Sequence, residues 1–367
     1  MTGSYDVCQP DEPGRQIEPS SEPQSANSSA VPDREDMAQF HASEVAKRLT
    51  PVDAEPRRRR NLLIIARSRK GEHLDQLCSH VREIAPDIDA FGLRDRARNY
   101  LDPALLKCYL RPTLAVSFLE PQRFRPLLKA FYHGHGMCKS EEYRTLEAHD
   151  IPVPRWTLLR EGEEPCLDDF TDYVVSKPDR GAMGADVRIR RKSRVRWQAP
   201  KTDHAAKLQA GSRDFILQEF IYTGRWPVSY RVTSLFGKVL FALRMEADHV
   251  RRPLEGASAF QGGGISIVSS AFGATYTLLN DPEIIRLGER AHAAFPQIPL
   301  LGVDIIRDHE TGRLYVLEVN SDGWAWHFKS KKGRSVQDMW SIDFESQFDG
   351  IRKAAYVLAE NTRLLAR

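Results

Sequence analysis

The sequence predicts an α/β (α+β) protein in which a long polar N-terminal segment precedes two folded domains. Residues 1–58 are rich in Ser, Pro, Glu, Asp and Gln and carry few large apolar residues, so they cannot bury enough surface to offset the entropy of ordering. After residue 59, short apolar runs first alternate with helical patterns and later follow one another as antiparallel strands do. We therefore expect a disordered tail, a small parallel-sheet domain and a larger domain of mixed strands and helices.

The small parallel-sheet domain is expected over residues 59–135. The run NLLIIARS has the composition of a buried strand, HLDQLCSHVREI has apolar residues at helical spacing, and DAFGLR and TLAVSFL are typical of further strands. Strands that alternate with helical segments predict parallel pairing. No GxGxxG follows the first strand, which argues against a dinucleotide site.

The larger domain is expected over residues 136–360. It begins with a helix from about Ser140 to Ala148, followed by a strand in DYVVSKP, the loop DRGAMGADV and a strand in VRIRR. The segments DFILQEFI, SYRVTSLFG and KVLFALRME have the pattern of antiparallel strands. A helix is then expected over about Pro282 to Ala294, and two apolar runs joined by HETG predict a β-hairpin.

Composition narrows the class of protein further. The 367 residues are 28% charged and 41% hydrophobic, which fits a soluble globular protein with a polar tail. A net charge of +3 is too small to indicate a nucleic-acid partner. No apolar stretch approaches the roughly 18 residues of a membrane-spanning helix, and the N-terminus lacks the apolar core of a secretory signal. We therefore expect neither nucleic acid nor a membrane among the partners.

Cysteine usage favours a reducing compartment. The five cysteines are widely scattered, odd in number and without any CxxC pair. This arrangement argues against both a disulfide framework and a zinc site. We therefore expect the protein to be cytoplasmic.

The predicted hairpin carries two acids within its apolar runs, where an unpaired carboxylate would be costly. A turn centred near Thr311 sets Asp304 opposite Glu318, and Asn320 lies on the same face. Like charges opposite each other are destabilising, and a cation between them would reverse that effect. Two carboxylates and an amide oxygen suit Mg²⁺, with Mn²⁺ as a substitute. A solvated hairpin face with ordinary surface acids is the alternative.

A lysine and a glycine-containing loop predict a phosphate site. Lys177 ends an apolar strand just before a loop that contains Gly181 and Gly184. Small residues allow backbone N–H groups to approach a phosphate, and the lysine adds a positive charge. The lysine precedes the glycines, so this is not a Walker A motif. A plain hairpin is the alternative interpretation.

The order of these pieces along the chain resembles the ATP-grasp superfamily. Lys139 opens the first helix of the larger domain, Lys177 follows, and then come LQEFI, the arginines of SYRVTS and FALRME, and the acidic hairpin. The resemblance is to the branch that contains glutathione synthetase and the ribosomal-protein glutamate ligases. It implies an ATP-grasp fold whose two α+β subdomains, about 136–216 and 217–360, clasp ATP.

The resemblance also implies roles for individual residues. Lys139 and Lys177 match the two lysines that hold the ATP phosphates. Arg244 matches the basic residue near the transferring phosphoryl group, with Arg231 as a helper. The metal ligands correspond to three hairpin residues, Asp304, Glu318 and Asn320. The hinge that reads adenine corresponds to four consecutive residues, Gln218, Glu219, Phe220 and Ile221.

The activity that the resemblance implies is that of an ATP-dependent carbon–nitrogen ligase, which joins a carboxylate to an amine through an acyl phosphate with Mg²⁺. The substrates would be small molecules or peptides, and a homo-oligomer is compatible with this class. Two departures from the family pattern, Ser229 in SYRV and the run NSDGWAWHF that begins at Asn320, leave the substrates open. The alternatives are a kinase of the same fold that phosphorylates a hydroxyl, and a non-catalytic nucleotide-binding module.

Removal of residues 1 to about 55 should leave the melting temperature and ATP hydrolysis nearly unchanged, because this segment lacks apolar side chains to pack onto a core. The test compares the full chain with the truncated chain by thermal unfolding and by ADP release. A melting temperature several degrees lower in the truncated chain would contradict the expectation and show that the segment docks.

Overall fold

The computed structural model shows a mixed α/β chain with three β-sheets, which confirms the predicted fold class. The predicted tail and Gly184 lie outside the residues that the structure describes. Those residues are 59–66, 72–96, 99, 102–181, 187–198, 214–248, 250, 274–321, 334, 337–338 and 341–367. Within these ranges, every helix is too short or too polar to cross a membrane.

The first sheet is parallel. Its strands are β1 (Arg60–Ala66), β2 (Ile88–Arg94), β3 (Thr113–Ser117) and β4 (Phe131–His133), in the order β2-β1-β3-β4. Helix α1 (Glu72–Ile84) follows β1, and helix α2 (Pro103–Leu110) follows β2. Leu62 and Leu63 are neighbours on β1 and are both fully buried, as expected of a strand covered on both faces. The predicted parallel sheet is confirmed.

The second sheet is antiparallel and is covered by a helix. Helix α3 (Lys139–Ala148) precedes it. The strands are β5 (Trp156–Leu159), β6 (Tyr173–Pro178), β7 (Arg188–Arg191) and β8 (Phe215–Glu219), in the order β5-β8-β6-β7. Tyr143 and Leu146 of α3 are buried in one apolar cluster with Ile216 of β8, so α3 packs against a face of this sheet.

The third sheet is also antiparallel. Its strands are β9 (Val228–Leu235), β10 (Lys238–Ala247), β11 (Ala274–Leu278), β12 (Leu300–Arg307) and β13 (Leu314–Asn320), in the order β11-β10-β9-β12-β13. Helix α4 (Pro282–Ala293) is capped by Asp281, whose side chain accepts two backbone N–H bonds. A Cβ at Gly288 would lie 2.5 Å from Val232 Cγ1. The glycine therefore allows α4 to lie close against β9.

Two further helices follow the third sheet, and the second of them returns to the first sheet. They are α5 (Phe344–Phe348) and α6 (Gly350–Leu365). Leu358 of α6 shares one buried cluster with Leu62 of β1, Leu77 of α1 and Leu243 of β10. The first and third sheets thus contribute to a common core, and the domain boundary near residue 135 stays a prediction.

His292 joins the end of α4 to the third sheet. It is buried, and its Nδ1 accepts a hydrogen bond from the Ser234 hydroxyl of β9 at 2.6 Å. Its Nε2–H donates to the Ile298 carbonyl at 2.9 Å. This pair of bonds is the one that a neutral imidazole protonated on Nε2 makes. Burial lowers the pKa of His292 below its usual value of 6.5.

The folded protein should therefore lose stability as the pH falls from 6.5 toward the lowered pKa of His292, because the unfolded chain then binds a proton that folded His292 does not. Each unit between the two pKa values corresponds to about 1.4 kcal/mol of unfolding free energy. Urea unfolding across this pH range measures the slope in the wild type and in His292→Gln, whose amide does not titrate. Equal slopes in the two proteins would contradict the assignment.

Candidate active site

The acidic end of the β12–β13 hairpin has the register that the sequence predicts. Asp304 lies directly opposite Glu318, and Gly302 lies opposite Asn320. Residues opposite each other in an antiparallel pair point to the same side, as do residues two apart on one strand. The two acids and the amide therefore share one face of the third sheet.

A β-bulge follows this acidic end. Ile305 pairs with Val316, which leaves Leu317 as an extra residue in β13. Val316 and Val319 are three residues apart, yet both point into the core that contains Ile305. The bulge also leaves the Leu317 carbonyl out of the regular ladder, where it accepts hydrogen bonds from two side chains outside the hairpin.

Asp304 is paired with an arginine of the neighbouring strand. Arg231 of β9 lies opposite Asp304 and donates two hydrogen bonds to it, from Nε to Oδ1 and from Nη2 to Oδ2, each at 2.7 Å. Asn320 donates from Nδ2 to the same Oδ2 at 3.2 Å. Asp304 raises the pKa of Arg231. A bidentate charged pair of this kind is among the stronger hydrogen-bonded contacts, so Arg231 is firmly held in the cluster.

Glu318 is paired with a lysine from α3. Lys139 Nζ lies 3.1 Å from Glu318 Oε1 and donates to the Gly181 carbonyl at 3.1 Å. Lys139 is only 7% exposed. Burial works to raise the pKa of Glu318, but Lys139 and Lys177 outweigh it and hold that pKa below its usual value. Glu318 is therefore a carboxylate, the form in which it could bind a metal.

Lys177 belongs to a buried network centred on Tyr143 of α3. The tyrosine hydroxyl lies 2.7 Å from Gln218 Oε1 and 2.8 Å from the Leu317 carbonyl, and it donates its single proton to one of them at a time. Lys177 Nζ donates to the tyrosine oxygen at 2.9 Å and to the Leu317 carbonyl at 3.2 Å. Burial lowers the pKa of Lys177 to about 8. One hydroxyl thus connects α3, β6, β8 and the bulge of β13.

Asp179 is a buried acid that sequence reasoning did not predict. It follows Lys177 by two residues, and its carboxylate accepts hydrogen bonds from the Ser140 N–H at 2.8 Å and the Ser140 hydroxyl at 3.1 Å. Its own carbonyl accepts the N–H of Lys139 at 3.0 Å. Asp179 therefore holds the start of α3 against the end of β6, which keeps the two lysines adjacent. No local pattern indicates this role, because the two segments are distant in sequence.

Glu142 is a second buried acid that was not predicted. It is 4% exposed, and its Oε2 accepts the Val319 N–H at 3.3 Å. Burial raises the pKa of Glu142 to about 8. A sequence signal for it exists: Lys139, Glu142 and Tyr143 have the spacing that puts side chains on one face of a helix. That face of α3 is the one that contacts the acidic hairpin.

The four predicted hinge residues differ in which of their groups already form hydrogen bonds. Gln218 is buried with its side chain in the tyrosine network. The Glu219 N–H donates to a carbonyl just before β5 at 2.8 Å, and the Phe220 N–H donates to a carbonyl of β6 at 3.2 Å. Within the described ranges, the Ile221 N–H has no acceptor. Ile221 is thus the hinge residue whose N–H is available to a ligand.

The structure does not bring Arg244 to this cluster. Leu243 lies opposite Arg231, so Arg244 points to the other face of the third sheet, where it forms an ion pair with Glu246. The reason is a second bulge, because the register of β10 shifts at Leu240. Without that extra residue, Arg244 would share the face of Arg231. The position of Arg244 gives no support to its predicted role.

The residues present fit a hard divalent cation. Asp304 and Glu318 are adjacent across the hairpin, and the hydrogen bond from Asn320 Nδ2 leaves its amide oxygen for another partner. Two carboxylates with an amide oxygen form a donor set that Mg²⁺ accepts, with water and phosphate as further ligands. In the described part of the chain, no three His, Cys, Asp or Glu side chains are grouped to hold a metal ion. These residues would therefore supply only part of the coordination of a metal ion.

Comparison with known proteins gives no matching protein-family model and no matching curated protein. Solved structures are similar over most of their length. The D-alanine–D-alanine ligase of Bacillus anthracis has 13% identity and a TM-score of 0.43, covering 83% of this chain and 99% of that chain. The D-cycloserine synthetase DcsG has 17% identity and a TM-score of 0.45, covering 82% and 99%.

The macrocyclase MdnC from Microcystis aeruginosa MRC, bound with the precursor peptide MdnA, has 13% identity and a TM-score of 0.45, covering 82% of this chain and 99% of that chain. Identities and TM-scores this low do not carry an activity or a family membership over to this chain. Function has to be inferred from the residues of the site itself.

Tyr143→Phe should lower the free energy of unfolding by about 1–3 kcal/mol, because Lys177, Gln218 and the Leu317 carbonyl would each lose a buried hydrogen-bond partner. Denaturant unfolding measures the change. The control is Tyr132→Phe, whose ring packs on Phe236 at 5.5 Å and should shift the free energy much less. Equal effects of the two substitutions would show that the Tyr143 hydroxyl does not hold the network together.

Proposed function

We propose that the chain is an ATP-dependent carboxylate–amine ligase of the ATP-grasp type. The observation that carries the proposal is the convergence of three cations from separate elements on the two hairpin acids. Lys139 of α3 contacts Glu318, Arg231 of β9 contacts Asp304, and Lys177 of β6 lies close enough to lower the pKa of Glu318. Lys177 was predicted from its strand and glycine-containing loop, and Lys139 and Arg231 from the resemblance. Such a mixed cluster suits phosphate oxygens together with a metal.

The proposed domain scheme follows the three sheets. Residues 59–135 would form the N-terminal domain, and residues 136–216 and 217–360 would form the two subdomains that clasp ATP. The carboxyl edge of the first sheet lies beside the acidic hairpin, since a Cβ at Gly134 would be 2.3 Å from the Ser321 carbonyl. Ligands of parallel sheets bind outside such an edge, so we infer that the carboxylate substrate enters from this side.

The nucleotide would be held by groups of both subdomains. Lys139 and Lys177 would contact its phosphates, and the loop at Gly181 would approach them with its backbone. The N–H of Ile221, which has no acceptor among the described residues, suits an acceptor nitrogen of adenine. The tyrosine network and Asp179 would keep both lysines in place.

Asp304, Glu318 and Asn320 would hold Mg²⁺. When bound, Mg²⁺ supplies Lewis-acid polarisation of the phosphoryl oxygens. Arg231 would face the same oxygens from β9, so we assign to Arg231 the electrostatic role that the sequence predicted for Arg244. The cations of the chain then offset the negative charge of the transferring group.

The proposed reaction has two steps. A carboxylate oxygen of the substrate attacks the γ-phosphorus of ATP, the bond to the bridging oxygen breaks, and ADP leaves behind an acyl phosphate. The nitrogen of the amine then attacks the acyl carbon, the carbon–oxygen bond breaks, and phosphate leaves while the nitrogen loses a proton. Lys139, Lys177 and Arg231 would supply the positive charge that stabilises the phosphoryl oxygens in both steps.

The experiment that tests this proposal traps the acyl phosphate. Amino acids, dipeptides and small polyacids are screened with ATP and Mg²⁺ for ADP release, and active carboxylates are then incubated with hydroxylamine in place of the amine. Hydroxylamine attacks the acyl carbon, so we expect a hydroxamate. A stable phosphate ester without hydroxamate would establish the kinase alternative. Nucleotide binding without ADP release from any compound would favour the binding module.

Two matched variants of the hairpin complete the experiment. Glu318→Gln removes one charge without a change of shape and should lower ADP release by about 100-fold or more. Glu310→Gln alters an exposed acid in the turn of the same hairpin and should leave the rate unchanged. Similar rates for both variants, with the fold intact by circular dichroism, would remove Glu318 from the mechanism.

A further inference from the structure

Each acid proposed as a metal ligand is already bound to a cation of the chain. Both oxygens of Asp304 accept hydrogen bonds from Arg231, and Oδ2 accepts another from Asn320. Oε1 of Glu318 lies 3.1 Å from Lys139 Nζ. A carboxylate has about four lone-pair sites, so three of those of Asp304 are in use.

Both ion pairs are shielded from water to a degree that surface pairs are not. The side chains of Arg231 and Asp304 are 28% and 18% exposed, and those of Lys139 and Glu318 are 9% and 31% exposed. Ion pairs on open surface contribute little because water and salt screen them. These two pairs are screened less, so a metal ion that approaches either acid meets a nearby positive charge.

We propose that Arg231 and Lys139 control entry of the metal, so that a divalent cation binds tightly only together with a nucleotide. This inference rests on the proposed function, because the same two cations are assigned to phosphate oxygens. Phosphates would draw Arg231 and Lys139 away from Asp304 and Glu318, and the freed carboxylates would then bind the metal. Nucleotide and metal would each raise the affinity of the protein for the other, as linkage requires.

The electrostatic reason is that a divalent cation and a resident cation compete for the same oxygens. Charges about 4 Å apart interact strongly at the effective dielectric constants near a protein surface. Removal of one resident cation should therefore strengthen metal binding in the nucleotide-free protein. A residue that only stabilises the fold would not have this effect, because its removal would weaken the site or leave it unchanged.

The test measures Mn²⁺ binding to the nucleotide-free protein by the loss of the electron paramagnetic resonance signal of free Mn²⁺. Arg231→Met should bind Mn²⁺ at least about 10-fold more tightly than the wild type. Lys139→Met is a second variant with the same expected direction, in case the first fails to fold. The control is Arg363→Met, which removes a bidentate pair with Asp87 of closely similar geometry and exposure on α6, away from the site.

A parallel arm measures binding of Mn²⁺ with a non-hydrolysable ATP analogue to the wild type by calorimetry. If this complex binds and both cluster variants bind Mn²⁺ alone no more tightly than the wild type and Arg363→Met, the inference is overturned while the proposed function stands. If the complex does not bind to the wild type at all, the proposed function fails. Tighter Mn²⁺ binding in a folded cluster variant, with Arg363→Met unchanged, supports the inference.

Discussion

The extra residue at Leu317 determines how the third sheet meets α3 and the second sheet. It lets Val316 and Val319 both point into the core, so that Glu318 projects toward the opposite side. It also frees a carbonyl that accepts hydrogen bonds from Tyr143 and Lys177. In a regular hairpin that carbonyl would accept a hydrogen bond from the neighbouring strand, or it would point away from these two side chains. The hydrogen bonds that join α3 and β6 to the hairpin at this point depend on this one irregularity.

Compensation of charge explains how so many ionisable groups can share a partly buried space. Each hairpin acid has its own cation, and the bidentate contact of Asp304 satisfies both of its oxygens. Among the described residues Glu142 forms no ion pair of its own, and burial raises its pKa to about 8. Lys177, which donates to neutral oxygens, has its pKa lowered to about 8 by the same cause. The charges of the two hairpin acids are therefore compensated within a partly buried space, where an uncompensated charge would be costly.

The sequence predicted the order of the strands and helices but not the two irregularities of the third sheet. The pairing of Asp304 with Glu318 could be predicted from a turn centred near Thr311, although the pairs nearer the turn follow a register one residue shorter and the extra residue at Leu317 restores the pairing. The face of Arg244 could not, because one extra residue at Leu240 inverts the alternation, and nothing in KVLFALRME reveals that insertion. Asp179 was missed for a different reason: the helix it caps is brought to it only by the folded chain.

Because α6 packs on the first sheet, the core of that sheet can be completed only after the last helix has been synthesised. Strand β1 is synthesised before the second and third sheets, while α6, which shares its buried cluster, emerges after both. Helix α1 covers part of the apolar face of the first sheet early, and the part that α6 covers stays exposed to water until α6 emerges. Long separations in sequence between contacting elements also slow folding. Apolar surface that stays exposed in this way during translation favours aggregation of the nascent chain.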